Sequence, residues 1–84
     1  MKNVRIYSKD YCPYCTHAKR LLDEKGVGYE EINMEDKPKE MQALIKKTGM
    51  RTVPQIFIGE ELVGGFTELS ALNESGELDQ KLNA

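Results

Sequence analysis

Hydrophobic and polar positions follow two different periods along this chain, and the changes from one to the other mark its elements. Val4-Arg5-Ile6-Tyr7 is a short β-prone run that breaks at Ser8-Lys9-Asp10, which predicts a first strand. Cys15, Ala18, Leu21 and Leu22 then recur at spacings of three and four, and Gly26 stops the pattern. Pro13 stands at the start of this run, where the missing N–H would have had no intrahelical partner, so a helix is predicted over Pro13 to Lys25. Tyr29 to Asn33 predicts a second strand, although Glu30 and Glu31 interrupt it, and Lys37-Pro38 opens a second helix with Met41, Leu44, Ile45 and Thr48, closed by Gly49. Gln55-Ile56-Phe57-Ile58 and Glu61-Leu62-Val63 flank the two-residue turn Gly59-Glu60, a hairpin signal that Gly64-Gly65 ends. Thr67 is placed to cap a third helix with Leu69 and Leu72 that stops near Gly76, and Leu78 and Leu82 supply one more turn.

The resulting order, β-α-β-α-β-β-α, is that of an α/β fold in one domain spanning residues 1–84. A helical crossover makes the first two strands parallel, and the tight turn makes the last two antiparallel. The expected product is a mixed four-stranded sheet flanked by helices.

Composition narrows the function. With 12 Lys+Arg against 14 Asp+Glu, mixed along the chain, there is no basic field for nucleic acid. Charge-free stretches are no longer than Thr52 to Gly59, far short of the roughly 20 apolar residues a spanning helix needs, and no apolar run follows Met1-Lys2 as a signal peptide requires. The reading is a cytoplasmic chain with no membrane association. Two cysteines are too few for the framework of a small secreted domain.

Their placement carries the chemistry. Cys12-Pro13-Tyr14-Cys15 lies on a predicted helix start, where residues three apart have Cβ atoms roughly 5–6 Å apart, close to the ≈3.8 Å of a disulfide. Cys12 faces unpaired backbone N–H groups and the positive end of the helix dipole, which favour thiolate, so it is assigned as the nucleophile. Cys15, one turn inside on the Ala18/Leu22 side, is expected to be buried and to resolve the mixed disulfide. A dipole worth about 0.3–1 kcal/mol, at most ~2, moves a thiol by roughly 0.2–1.5 units, so further help is needed. Lys9 and the N–H groups of Tyr14 and Cys15 are the candidates. A zinc site needs about four ligands, and this chain adds one imidazole, His17, which is read as solvent-facing; no metal is expected. A structural disulfide closing so short a loop would constrain little of the unfolded chain.

Tyr11-Cys12-Pro13-Tyr14-Cys15, Arg51-Thr52-Val53-Pro54 and Gly64-Gly65 together resemble the glutaredoxins, in particular the dithiol class and its short bacterial members, over nearly the whole chain. The resemblance implies a thioredoxin-like fold with strands in the order 2-1-3-4, and glutathione as electron donor and co-substrate. A residue preceding proline is extended, so Val53 is, and Val53-Pro54 read from sequence alone is trans, since only about 5–6% of X-Pro bonds are cis. The resemblance implies cis instead, with the Val53 backbone, flanked by Thr52, pairing with the cysteinyl part of glutathione. Gly65 leaves backbone exposed before a helix N-terminus, where a carboxylate fits. By resemblance this is the γ-glutamyl carboxylate, held by N–H groups around Thr67 and Glu68, while Lys9, Tyr14 and Arg51 lie toward the glycyl end. Many relatives carry Asp where this chain has Glu68, and some carry a further cysteine where it has Phe66. Phe66 also reads as a core anchor.

The implied activity is reduction of glutathione mixed disulfides and protein disulfides by a monomer, with ribonucleotide reductase as one electron acceptor. Three rivals stand beside it: a thioredoxin-like donor recharged by a flavin reductase, an iron–sulfur carrier in which two chains hold a cluster through Cys12 and glutathione, and a redox-inert binding domain, in which Cys12 would react with iodoacetamide as an ordinary thiol. Pro13 and the ready internal disulfide speak against the carrier.

Overall fold

The computed structural model describes residues 2–83. Val4–Ser8 forms β1 and Pro13–Glu24 forms α1; Glu30–Asn33 is β2 and Pro38–Thr48 is α2. Gln55–Ile58 and Glu61–Gly64 are β3 and β4, followed by α3 over Phe66–Ser75 and α4 over Glu77–Asn83. The strands lie in the order β2-β1-β3-β4. β1 runs parallel to β2, with Ile6 opposite Glu31, and antiparallel to β3, with Tyr7 opposite Gln55. β3 and β4 are antiparallel around the turn at Gly59, whose φ of 60° is open to glycine. The seven expected elements and the mixed sheet are present, and where one further turn was expected at Leu78 and Leu82 the chain forms a separate helix, α4, that buries both.

Alternation along β1 sends Val4, Ile6 and Ser8 into one face and leaves Arg5 and Tyr7 half-buried on the other. The first face meets the apolar stripe of α1 and the buried residues of α3 and α4, so that Ile6, Leu22, Ile56 and Leu69 are fully buried together. On the second face Met41 and Leu44 of α2 close over Met34 and Phe57, and Tyr7 meets Phe57 edge-on with centroids 5.7 Å apart. β3 is buried on both faces, as its uninterrupted apolar run Ile56-Phe57-Ile58 requires. Burying one such side chain contributes about 1.5–3 kcal/mol.

The three helix stops follow the sequence, whereas the start of α3 does not. Gly49 and Gly76 adopt left-handed conformations, φ 76° and 84°, and stop α2 and α3. The cap of α3 differs from expectation. β4 continues through Gly64, the helix begins at Phe66, and the N-cap is Gly65; Thr67 is an exposed residue inside the first turn. The Gly65 N–H is taken by the Glu68 carboxylate at 2.7 Å, so the acidic side chain three residues on performs the capping that Thr67 was assigned.

This topology gathers three chain segments at one end of the sheet. β1 ends there and hands over to the start of α1. Because β3 is antiparallel to β1, it begins there, and because β4 is antiparallel to β3, it ends there and hands over to α3.

Candidate active site

Cys12 is the N-cap of α1, with extended backbone (φ −113°, ψ 99°) and Pro13 behind it in the first turn. Its carbonyl accepts from the Thr16 N–H at 3.1 Å, and its Sγ accepts from the Cys15 N–H at 3.1 Å. A cysteine at this position therefore caps the helix as Ser or Asp would, and the sulfur receives a backbone donor together with the positive helix end. Among the described residues the Cys15 N–H, not that of Tyr14, is the main-chain donor to this sulfur. Cys12 and Cys15 are joined in a disulfide with Cα atoms 5.2 Å apart, inside the usual range for such bridges. Cys12 is half-buried, whereas Cys15 is 2% exposed and packs on the Ala18 and Leu22 side, as its helical spacing predicted.

The chain reaches Cys12 through Tyr11, whose φ of 53° is unusual for a side-chain-bearing residue and whose ring is wholly exposed. Tyr14 is 61% exposed and stacks on Phe66 of α3 with ring planes 21° apart, and His17 meets the same Phe66 ring at 5.6 Å. His17 is exposed, as expected, yet belongs to this three-ring cluster. Phe66 is half-buried and packs against the first core, so it anchors α3 while its ring supports Tyr14.

Opposite the disulfide, the Val53 carbonyl oxygen stands 3.7 Å from Cys12 Sγ. The Val53-Pro54 peptide is cis, as the resemblance implied and the bare sequence did not. Pro54 is buried while Thr52 and Arg51 are exposed.

Two cavities flank the cysteines. One, of ≈300 Å³, is bounded by Tyr14, Val53, Pro54, Gly65, Thr67 and Glu68, and also by Thr52. Seven of the residues singled out in the sequence thus face one concavity. Met50 and Phe66 line it as well; Met50 carried no site signal, since it reads only as the residue after a helix stop, and Phe66 reads as a core anchor at a position where some relatives carry a further cysteine. The other cavity, of ≈450 Å³, reaches Cys12 and Cys15 from the β2 side and is lined by Lys9, Asp10, Lys19 and Glu31. Lys9 is therefore beside the thiols but on the far side from Gly65, and Arg51 lines neither cavity. Within the second cavity the Glu31 carboxylate accepts from Ser8 Oγ at 2.7 Å and from Lys19 Nζ at 3.0 Å, which together hold it below the ordinary carboxylate value of 4.5.

Among the described residues no three His, Cys, Asp or Glu side chains gather as a metal site, and no helix is long and apolar enough to cross a membrane. What the arrangement can do is open and close one sulfur–sulfur bond, with an accessible sulfur at a helix start and a buried one behind it.

Known proteins resemble this chain in sequence and in fold. The family model described as Glutaredoxin matches residues 4–63. A glutaredoxin of Neisseria meningitidis serogroup A is 49% identical over 84 residues, covering 99% of each chain. Glutaredoxin 3 of Escherichia coli K12 is 45% identical over 82 residues, 98% of this chain and 99% of that one. Among solved structures, the crystal structure of a buckwheat glutaredoxin–glutathione complex superposes with a TM-score of 0.92 at 33% identity, covering 98% of this chain and 77% of the other.

Proposed function

The chain belongs to the glutaredoxin family and is a thiol–disulfide oxidoreductase, and we propose that it uses glutathione to reduce glutathione mixed disulfides and protein disulfides. The observation that carries this reading is the division of labour within the pair: Cys12 caps the helix at an open edge and Cys15 is 2% exposed behind it.

In the proposed cycle the Cys12 thiolate attacks one sulfur of a mixed disulfide, forming a bond to the glutathione sulfur and releasing the substrate sulfur as a thiolate, which takes up a proton. A second glutathione thiolate can then attack that glutathione sulfur, giving oxidised glutathione and returning Cys12 as thiolate. Alternatively Cys15 loses its proton to solvent and attacks Cys12, forming the internal disulfide and expelling glutathione; two further glutathiones reduce it. A protein disulfide follows the second route, in which Cys15 releases the second substrate thiol.

For glutathione itself, the ≈300 Å³ cavity is the proposed seat. The Val53 backbone pairs with the cysteinyl part, flanked by Thr52 and Pro54. N–H groups of the first turn of α3, at Thr67 and Glu68 beside Gly65, take the γ-glutamyl carboxylate. Tyr14 borders this cavity at the proposed glycyl end, toward which Lys9 and Arg51 would reach from outside it. Support for this seat comes from the common concavity shared by Tyr14, Val53, Gly65 and Thr67. We extend the same reading to a monomeric, cytoplasmic enzyme that supplies electrons to disulfide-bearing proteins, ribonucleotide reductase among them.

The test is NADPH oxidation coupled through glutathione and glutathione reductase, with a glutathionylated cysteine peptide as substrate. Wild type should turn over and Cys12→Ser should not. Turnover that proceeds with thioredoxin reductase in place of glutathione, and not with glutathione, would overturn the assignment of the donor.

A further inference from the structure

Gln55, the first residue of β3, is fully buried, and its side chain is committed to its own upstream loop. Its Nε2 donates to the Met50 carbonyl at 2.8 Å and to the Thr52 carbonyl at 3.1 Å. Two carbonyls can be met only by the nitrogen end of an amide, so Oε1 points away, and among the described residues it is the buried side-chain polar atom without a partner. An apolar side chain of the same length would spare the fold that unmatched oxygen. What an apolar side chain could not do is hold the two carbonyls.

The consequence falls on Val53. The Thr52–Val53 peptide is trans, and in a trans unit the C=O and N–H point in opposite directions. When Gln55 draws the Thr52 oxygen inward, the Val53 N–H of the same plane is turned outward. The Val53 carbonyl, one unit further, stands against Cys12 Sγ. The upstream end of the loop is tied separately, through the Gly49 N–H to Ile45 and the Met50 N–H to Thr48 Oγ1, and Gln55 bridges from β3 to the middle of what lies between.

We propose that Gln55 is a positioning residue for glutathione: its amide fixes the plane of the Thr52–Val53 peptide so that the Val53 N–H is presented, already oriented, to the cysteinyl backbone of the ligand. The inference rests on the proposed seat of glutathione along Val53. A donor oriented in advance lowers the ordering cost of binding and is felt equally in ground state and transition state, so its loss is read in KM and not in kcat.

The decisive variant is Gln55→Met, of similar length and without donors, compared with wild type in the glutathione-coupled reduction of a glutathionylated cysteine peptide. The expected result is a KM for that peptide raised by about tenfold, a kcat within about twofold, and a thermal midpoint within about 4 °C of wild type, since loss of the two hydrogen bonds is offset by removal of the unmatched oxygen. Should Gln55→Met fail to fold, Gln55→Asn, which keeps the amide one methylene short of its partners, is expected to show the same split between KM and kcat. An unchanged KM overturns the proposal. A kcat that falls together with the thermal midpoint also overturns it, because that is the signature of a purely structural role. A wild type that is active with glutathione beside a variant of unchanged KM removes the role of Gln55 alone, whereas a wild type inactive with glutathione removes the functional reading and this inference with it.

Discussion

The carbonyl oxygen of Val53 stands 3.7 Å from the Sγ of Cys12, although 41 residues separate them in the chain. In the disulfide this sulfur has no proton to donate, so the approach is a packing contact imposed by the pairing of β1 with β3. A substrate disulfide reaching Cys12 must enter beside this carbonyl, and the expected effects of substitution around it follow from which group does what.

Cys15→Ser separates the two reductions. Cys12 keeps its helix-cap position and the backbone donor at residue 15, so deglutathionylation of small mixed disulfides by a second glutathione should persist. Reduction of protein disulfides that need the buried thiol should fall to background. Parallel assays with a glutathionylated peptide and a disulfide-bonded protein check this, and equal loss of both activities would refute the division of roles.

Lys9→Gln tests the cation beside the thiols. Lys9 shares the β2-side cavity with Cys12 and Cys15, and an exposed charge pair is worth about 0.2–1 kcal/mol. Alkylation of the reduced protein by iodoacetamide at pH 7 should slow by about 1.5- to 5-fold, with rates converging above pH 10 where thiols are ionised regardless. Identical rates at pH 7 would remove Lys9 from the chemistry.

Gly64→Ala and Gly65→Ala should differ sharply although they are neighbours. At Gly64 φ is 122°, and an added Cβ would meet Glu68 Oε1 at 2.8 Å and its Cγ at 3.0 Å. Strain of about 1–3 kcal/mol adds to a lost cap of about 1 kcal/mol, so the thermal midpoint should fall by roughly 10 °C or more. At Gly65, with φ −96°, the nearest atoms lie at 3.4 and 3.5 Å, and the midpoint should move by only a few degrees. Thermal unfolding followed by circular dichroism distinguishes them.

Glu31 gives the fold an acid-sensitive element. Its carboxyl is lowered in the folded state, first by the Ser8 hydroxyl and then by Lys19, so its contribution is present above the ordinary value of 4.5 and is lost as pH falls through the lower folded value. The advantage of wild type over Glu31→Gln in thermal midpoint should therefore hold above pH 4.5 and shrink below it. Ser8→Ala, which removes the larger cause, brings the folded value back toward 4.5, so the pH-dependent part of that advantage should shrink while its decline still begins near 4.5. The side chain is about one-third exposed, which keeps the effect small. A wild-type advantage that does not vary with pH would contradict the assignment.

Local chemistry was enough for most of the elements. Pro13 and Gly26, the 3–4 spacing from Cys15 to Leu22, and the Gly59-Glu60 turn between two β-prone runs each act within a few residues, and each produced the element it predicted. The division between Cys12 and Cys15 was legible for the same reason, since one turn of helix determines which of two residues is at the open end. The strand order came from the resemblance and not from the spacing of residues.

Tertiary structure decided what depends on distant parts of the chain meeting. The cap of α3 passed from Thr67 to Glu68 because β4 runs on through Gly64 and sets where the helix can begin. Lys9 came to lie on the β2 side of the cysteines, away from Gly65, because the sheet order places β2 and β4 at opposite edges. Gln55 reads in sequence as an ordinary polar residue opening a strand. Only when β3 is buried on both faces does its amide lose water and turn to the Met50 and Thr52 carbonyls, since a buried donor must find an acceptor. Spacing within one helical turn is enough to place Cys12 and Cys15 on the start of α1, whereas the antiparallel pairings of β1 with β3 and β3 with β4 set which backbone groups stand opposite that pair.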